Sequence, residues 1–91
     1  MKRCEFERIY DNILIDKLEE LKIYRPIGIG ECCKIPNAIG CYEDETGWWN
    51  VYETNDWQQV IVRARATEES AFDMLYAEII GEIQLKYRSD Q

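Results

Sequence analysis

In "EFERIYDNILIDKLEELKIY" the apolar side chains fall at Phe6, Ile9, Tyr10, Ile13, Leu14, Leu18 and Leu21, with charged residues between them. Steps of three and four place them along one side of a helix. Arg25 precedes Pro26, and the residue before a proline is pushed out of the helical region, so this helix is predicted to end there. The next stretch, "PIGIGECCKIPN", sets isoleucines between glycines and carries a second proline. It reads as a loop, with room for a short extended piece.

The period then changes to two. "AIGCYE", "WWNVYET" and "QQVIVRARA" read as strands, the first pair joined through "DETG", where Gly47 can supply a positive φ, and the second pair through "NDW". Alternation assigns Ile39, Cys41, Trp49, Val51, Val60, Val62 and Ala64 to the buried faces, and Tyr42, Trp48, Tyr52, Arg63 and Arg65 to the opposite ones. In "ATEESAFDMLYAEIIGEIQLKYR" Thr67 is a natural N-cap. Glu68 and Glu69 then sit in the first turn and Lys86 and Arg88 in the last, as the helix dipole favours. Ala71, Phe72, Leu75, Tyr76, Ile79, Ile80 and Ile83 form the apolar stripe, and Gly81 interrupts it, an interior glycine that marks close packing. The expected fold is α+β: one two-layer domain over residues 1–91, ordered helix, three-stranded antiparallel sheet, helix, with both helices on one sheet face and the other face open.

Charge narrows the choice of partners. Residues 1–30 are balanced, six basic against six acidic, whereas residues 31–62 carry one basic and six acidic groups, and the whole chain is −7. A phosphate backbone would be repelled by such a field and a basic protein attracted and steered. Double-stranded RNA-binding domains share the element order, but they hold phosphate with lysine and arginine, so nucleic acid is not an expected partner. The start "MKRCEFERIYDNILIDKL" has acids where a signal peptide has its apolar run, and no stretch is long and apolar enough for a membrane helix; the cytosol is the expected location. Cys4, Cys32, Cys33 and Cys41 come without a single histidine and without paired zinc spacing. Free thiols are expected, with neither metal nor cofactor.

Catalytic chemistry has no visible constellation. The commonest general base is absent with histidine, and Ser70 and Ser89 have no partner signature. "GIG" is too short for a phosphate loop, and Glu43, Asp44 and Glu45 read as a solvated hairpin tip rather than a carboxylate pair with a raised pKa. No enzyme activity is expected.

All three tryptophans, Trp48, Trp49 and Trp57, lie within ten residues and among carboxylates. Trp48 and Trp49 are neighbours, and neighbours in a regular strand face opposite sides, so both cannot enter one core. One is left outward, and aromatics edged by charge have the make-up of a protein-binding hot spot. The candidate partner-binding residues are Tyr42, Glu43, Asp44, Glu45, Trp48, Tyr52, Glu53, Asp56, Trp57, Arg63 and Arg65.

"GWWNVYETNDWQQVIVRARATEESAFDMLYAEI" resembles the C-terminal half of small bacterial immunity proteins of polymorphic-toxin and contact-dependent growth-inhibition systems. The features concerned are Gly47, Trp48 and Trp49, the run Val51 to Thr54, Asp56, and the helix start Thr67 to Phe72, covering about half of the chain. The resemblance implies a protein that binds the C-terminal domain of a cognate toxin, often a basic nuclease, and blocks its active site or substrate path. The other expectation kept open is a small adaptor or regulatory module with no toxin partner, pairing as a homodimer through its open sheet face or edge strand.

Overall fold

The amphipathic start does form a helix, with a π-helical turn in its middle. The computed structural model describes residues 1–89, so the last two residues of the expected domain lie outside the described residues. Helix α1 (Arg3–Ile9) runs through a π-helical turn (Tyr10–Leu14) into α2 (Ile15–Glu20). The wider π turn, in which the Ile15 N–H bonds Tyr10, changes the angular spacing of the stripe. Phe6, Leu14 and Leu18 are therefore buried while Ile13 is 61% exposed. The helix stops before the predicted Arg25. Lys22 takes a left-handed φ of 58°, and Lys22 and Ile23 donate back to the carbonyls of Glu19 (3.1 Å) and Leu18 (2.9 Å). That is a Schellman closure, with lysine where glycine is usual.

The sheet corrects the expectation of three antiparallel strands. It has four, in the order β1 (Ile27–Ile29), β2 (Ile39–Glu43), β3 (Trp49–Thr54), β4 (Val60–Ala66), and β1 is parallel to β2. The "loop" stretch becomes β1, with Ile27 and Ile29 packed on the core to either side of Gly28 in sequence and Gly28 buried on the opposite face. Gly28 lies beside Gly40, and the Tyr52 phenol lies across both. A Cβ on Gly28 would stand 2.2 Å from the Tyr52 hydroxyl, and one on Gly40 would stand 2.3 Å from the Gly28 carbonyl.

Helix α3 (Glu68–Ser89) follows the prediction closely, its N-cap Thr67 accepting from the Ser70 N–H at 3.3 Å. Ala71, Phe72, Leu75 and Ile79 are buried against β2 and β3, while Tyr76, Ile80 and Ile83 are half-buried. Phe72 touches Trp49 (5.1 Å between ring centroids) and Phe6 (5.4 Å), which ties both helices to one sheet face.

The second sheet face is not open throughout. Residues 30–38, linking β1 to β2, strap across it. The Tyr52 hydroxyl accepts from the Cys33 N–H and donates to the Glu31 carbonyl, both at 2.7 Å. Thr54 Oγ1 accepts from the Ala38 N–H at 2.7 Å and donates to the Ile35 carbonyl. Strand β4 departs from simple alternation as well. The β3–β4 register slips between Val51, opposite Ala64, and Tyr52, opposite Val62. One extra residue, Arg63, bulges there. Val62 therefore shares the face of Tyr52 and is 47% exposed, not buried as its alternation suggested, and Val60 is only half-buried.

Candidate protein-binding site

The eleven candidate residues do not make one patch. They divide between the two ends of β3, and several are consumed inside the fold. At one end, the hairpin between β2 and β3 turns on Asp44. Its Oδ1 accepts from the Thr46 N–H (2.9 Å), the Thr46 hydroxyl and the Trp48 N–H (3.2 Å). Its Oδ2 accepts from Asn50 (2.9 Å) and from Arg65 Nε (3.2 Å). Gly47, at φ 89°, lets the chain reverse as predicted. The Thr46 hydroxyl, then Asn50, the Thr46 N–H and the Arg65 charge hold the Asp44 carboxyl well below the usual carboxylate range. Asp44 and Arg65 are thus internal fastenings of the tip.

What the tip leaves outward is Trp48, Glu43 and Glu45. Trp48 is 47% exposed beside a shallow recess of about 350 Å³ that Glu43 and Glu68 also line, while Trp49, the next residue, is 6% exposed in the core. The strand therefore feeds Trp49 inward and presents Trp48. Neither Glu43 nor Glu45 has an ion-pair or hydrogen-bond partner among the described residues. Glu68 accepts from the Arg3 N–H at 3.1 Å, which anchors the start of α1 to the start of α3.

At the other end, about 20 Å away along a six-residue strand, the turn after β3 carries Asp56 and Trp57. Asn55 Oδ1 accepts from the N–H groups of Trp57 (2.9 Å) and Gln59 (3.0 Å), and Gln58 takes the left-handed φ of 64°. Trp57 is 79% exposed, and Asp56 accepts from Asn37 at 2.9 Å, pinning the strap.

The remaining candidates sit between these ends. Tyr52, expected outward, is 1% exposed under the strap. Burial pushes its hydroxyl up to about 12, against the pull of the Cys33 N–H bond. Tyr42 is half-buried, edge-on to Tyr52 at 5.6 Å. Arg63, expected opposite the helices, pairs instead with Glu53, which stands opposite Ile39 on the helix-covered face; the bulge turns it there. Glu53 also lies 3.8 Å from Arg25, which reaches Glu82 of α3. Glu53 and Arg63 are thus paired across neighbouring strands, with the Arg63 side chain 60% exposed, and of these pairs only Arg25–Glu82 reaches from the sheet side to α3.

The four cysteines are free thiols. Cys41 is fully buried, its thiol pushed up to about 12 chiefly by burial; Cys4 is exposed, and Cys32 and Cys33 are half-buried in the strap. No cluster of metal-ligating side chains occurs among the described residues, and no helix among them is long and apolar enough to cross a membrane.

One apolar region had no distinguishing signal in the sequence. Ile23 and Tyr24, just past α2, form with Leu85 a groove of about 610 Å³, and Tyr24 is 82% exposed. Neither residue belonged to the predicted helical stripe, which ended at Leu21, and both lie beyond the left-handed turn at Lys22. Comparison of the chain with protein-family models, curated proteins and solved structures found no match.

Proposed function

We propose that the chain is an immunity protein, a stoichiometric inhibitor that binds the C-terminal domain of a cognate toxin through the β2–β3 hairpin tip. The observation that supports this reading is the exposed Trp48 indole flanked by Glu43 and Glu45, two carboxylates with no partner of their own among the described residues. A large aromatic anchor beside uncommitted acid suits the lysine- and arginine-rich surface of a nuclease, where the ring packs and the charges steer. Asp44 and Arg65 hold that tip in shape, so their role is positioning. Trp57, at the far end of β3, belongs to a contact with this tip only if the partner spans the whole sheet. The role is inhibitory binding in the cytosol, with no catalytic step by this chain.

The test is co-expression with the toxin-like domain encoded immediately upstream of this chain. Rescue of growth and a 1:1 complex are expected, with Trp48→Ala and the pair Glu43→Lys/Glu45→Lys each weakening binding at least tenfold. Absence of an upstream toxin, or absence of rescue, would remove the reading. A second reading, a small adaptor or regulatory module without a toxin partner, is favoured by the free outer edge of β4, where Ile61 and Val62 are exposed. Absence of rescue by the parent chain, together with a concentration-dependent mass in light scattering that is lost on changing Ile61 and Val62, would favour this second reading.

A further inference from the structure

Gly81 has no internal reason to be glycine. It sits inside a 22-residue helix, where glycine is the poorest former after proline. A Cβ built on it would meet nothing within 4 Å. The close packing that its place in the stripe predicts is therefore not packing within this chain. Gly81 instead floors a shallow groove of about 480 Å³ along the outer side of α3, with Ala77 beside it and Met74 and Leu85 at its ends, 40% and 66% exposed.

The residues of that outer side are self-complementary. Glu78, Gly81, Leu85 and Arg88 follow one another at steps of three, four and three, so they lie in one row on the helix. Glu78 and Arg88 are exposed, and neither has an ion-pair or hydrogen-bond partner among the described residues. A two-fold axis midway between Gly81 and Leu85 sets each Leu85 over the other copy's Gly81. The same operation sets each Arg88 opposite the other copy's Glu78. Isologous contacts have this reciprocal form.

We propose that α3 of one copy docks antiparallel on α3 of a second copy, with Leu85 seated in the recess over the partner copy's glycine at 81 and an Arg88–Glu78 ion pair at each end of the row. The alternative self-contact, edge to edge through β4, is disfavoured. An antiparallel pairing centred on Ala64 would bring Arg63 and Arg65 of two copies opposite each other, in competition with their own partners Glu53 and Asp44, and like charges directly opposite in a ladder repel. This proposal is independent of toxin binding, because the hairpin tip lies away from the groove.

One helix on one helix buries less than the roughly 1,600 Å² of a standard stable complex, so a weak dimer is expected, with Kd of about 10–500 µM. Sedimentation equilibrium of the purified chain up to about 1 mM should show a monomer–dimer equilibrium. Leu85→Glu, Glu78→Arg and Arg88→Glu should each raise Kd at least tenfold, and the combined Glu78→Arg/Arg88→Glu chain should regain the original Kd. Circular dichroism checks that these exposed changes leave the fold intact. Should one of them impair folding, intermolecular nuclear Overhauser contacts between Leu85 methyls and the Gly81 α-protons in a mixed-label sample read the same contact in the unaltered chain. A strictly monomeric chain, a dimer indifferent to the single reversals, or a double reversal that fails to restore association would each overturn the proposal.

Discussion

Strand β3 is buried on both faces, and the two faces are buried by different means. Toward the helices, Trp49 and Val51 meet Phe72 and the rest of the apolar cluster, and nothing but shape and area holds them there. Toward the strap, Asn50, Tyr52 and Thr54 are equally inaccessible, but each presents a polar atom with a named partner. The strap has little apolar mass of its own, since Ile35 is 53% exposed, so it stays down through hydrogen bonds to Tyr52 and Thr54, while Asn50 bonds Asp44 of the hairpin. A small domain can thus gain a second buried face without a second helix, provided that every buried polar group is satisfied. The described residues leave no buried side-chain nitrogen or oxygen without a partner.

The sharpest division of the two faces comes from truncation followed by a subtler change. Trp49→Ala and Tyr52→Ala should each cost about 3–5 kcal/mol in denaturant unfolding, the usual range for emptying a large aromatic site. A Tyr52→Ala cost under about 1 kcal/mol would mean that the strap face is not core at all. Tyr52→Phe separates the mechanisms, because it keeps the ring and strands the Cys33 N–H. The expected loss is about 1–3 kcal/mol. Cleavage by trypsin after Lys34, in the middle of the strap, should accelerate with it. Trp49→Phe, which disturbs packing alone, should lower stability without singling out Lys34.

Thr54→Val tests the same face at its other anchor. The shape is conserved, yet the Ala38 N–H loses its acceptor and the Ile35 carbonyl its donor, for an expected cost of about 1–3 kcal/mol. Val51→Ala, across the strand, removes methyl groups and no hydrogen bond. The two variants should therefore differ in amide exchange at Ala38, raised only by Thr54→Val.

The helix face was legible in the sequence and the strap face was not, for a physical reason. Hydrophobic periodicity is a record of area-driven burial, so Phe72, Leu75, Ile79, Cys41, Trp49 and Val51 announce themselves. Burial by hydrogen bonding leaves no such period. "GECCKIPN" is polar and irregular, and nothing local indicates that its carbonyls meet Tyr52 and Thr54 nineteen to twenty-one residues on. The pair Gly28 and Gly40 was the available signal: two glycines within apolar strand-like runs make room for a ring crossing them. The bulge at Arg63 was invisible for a related reason, since an inserted residue leaves "VIVRARA" looking regular while reversing the sides of what precedes it. At the candidate site, the sequence identified the hairpin tip and the conflict between Trp48 and Trp49. It could not separate Glu43 and Glu45 from Asp44, because their difference is one of hydrogen-bond geometry.

That last difference gives a pH test. Asp44 is held ionised by Thr46, Asn50 and Arg65, so its folded pKa lies below its unfolded value of about 4. The stability it contributes is fully present above that unfolded value. It is lost as pH falls toward the folded one, because the unfolded chain takes up the proton first. Melting temperature followed from pH 7 to pH 2 should drop more gently in Asp44→Asn than in the parent chain, with the neutral-pH value already lowered. Parallel curves would mean that the tip is fastened by something other than this carboxylate. The Trp48 recess would then have no preset shape.

The smallest expected change in stability belongs to Trp48→Ala, and it is the most informative about use. Trp48 and Trp49 are the same residue type one position apart, the first half in solvent and the second in the core. Removing Trp48 should alter unfolding free energy by no more than about 0.5 kcal/mol, the range for exposed positions without special roles, against about 3–5 kcal/mol for Trp49. A surface indole contributes little to the monomer because water still reaches it from one side, and its area counts in full only when a partner covers it. If Trp48→Ala proves as costly as Trp49→Ala, the indole is a structural lid over the recess lined by Glu43 and Glu68, and the hairpin tip loses its claim as a docking anchor. An unchanged stability, joined to a tenfold or greater loss of toxin binding, would separate the two tryptophans by purpose as the fold already separates them by exposure.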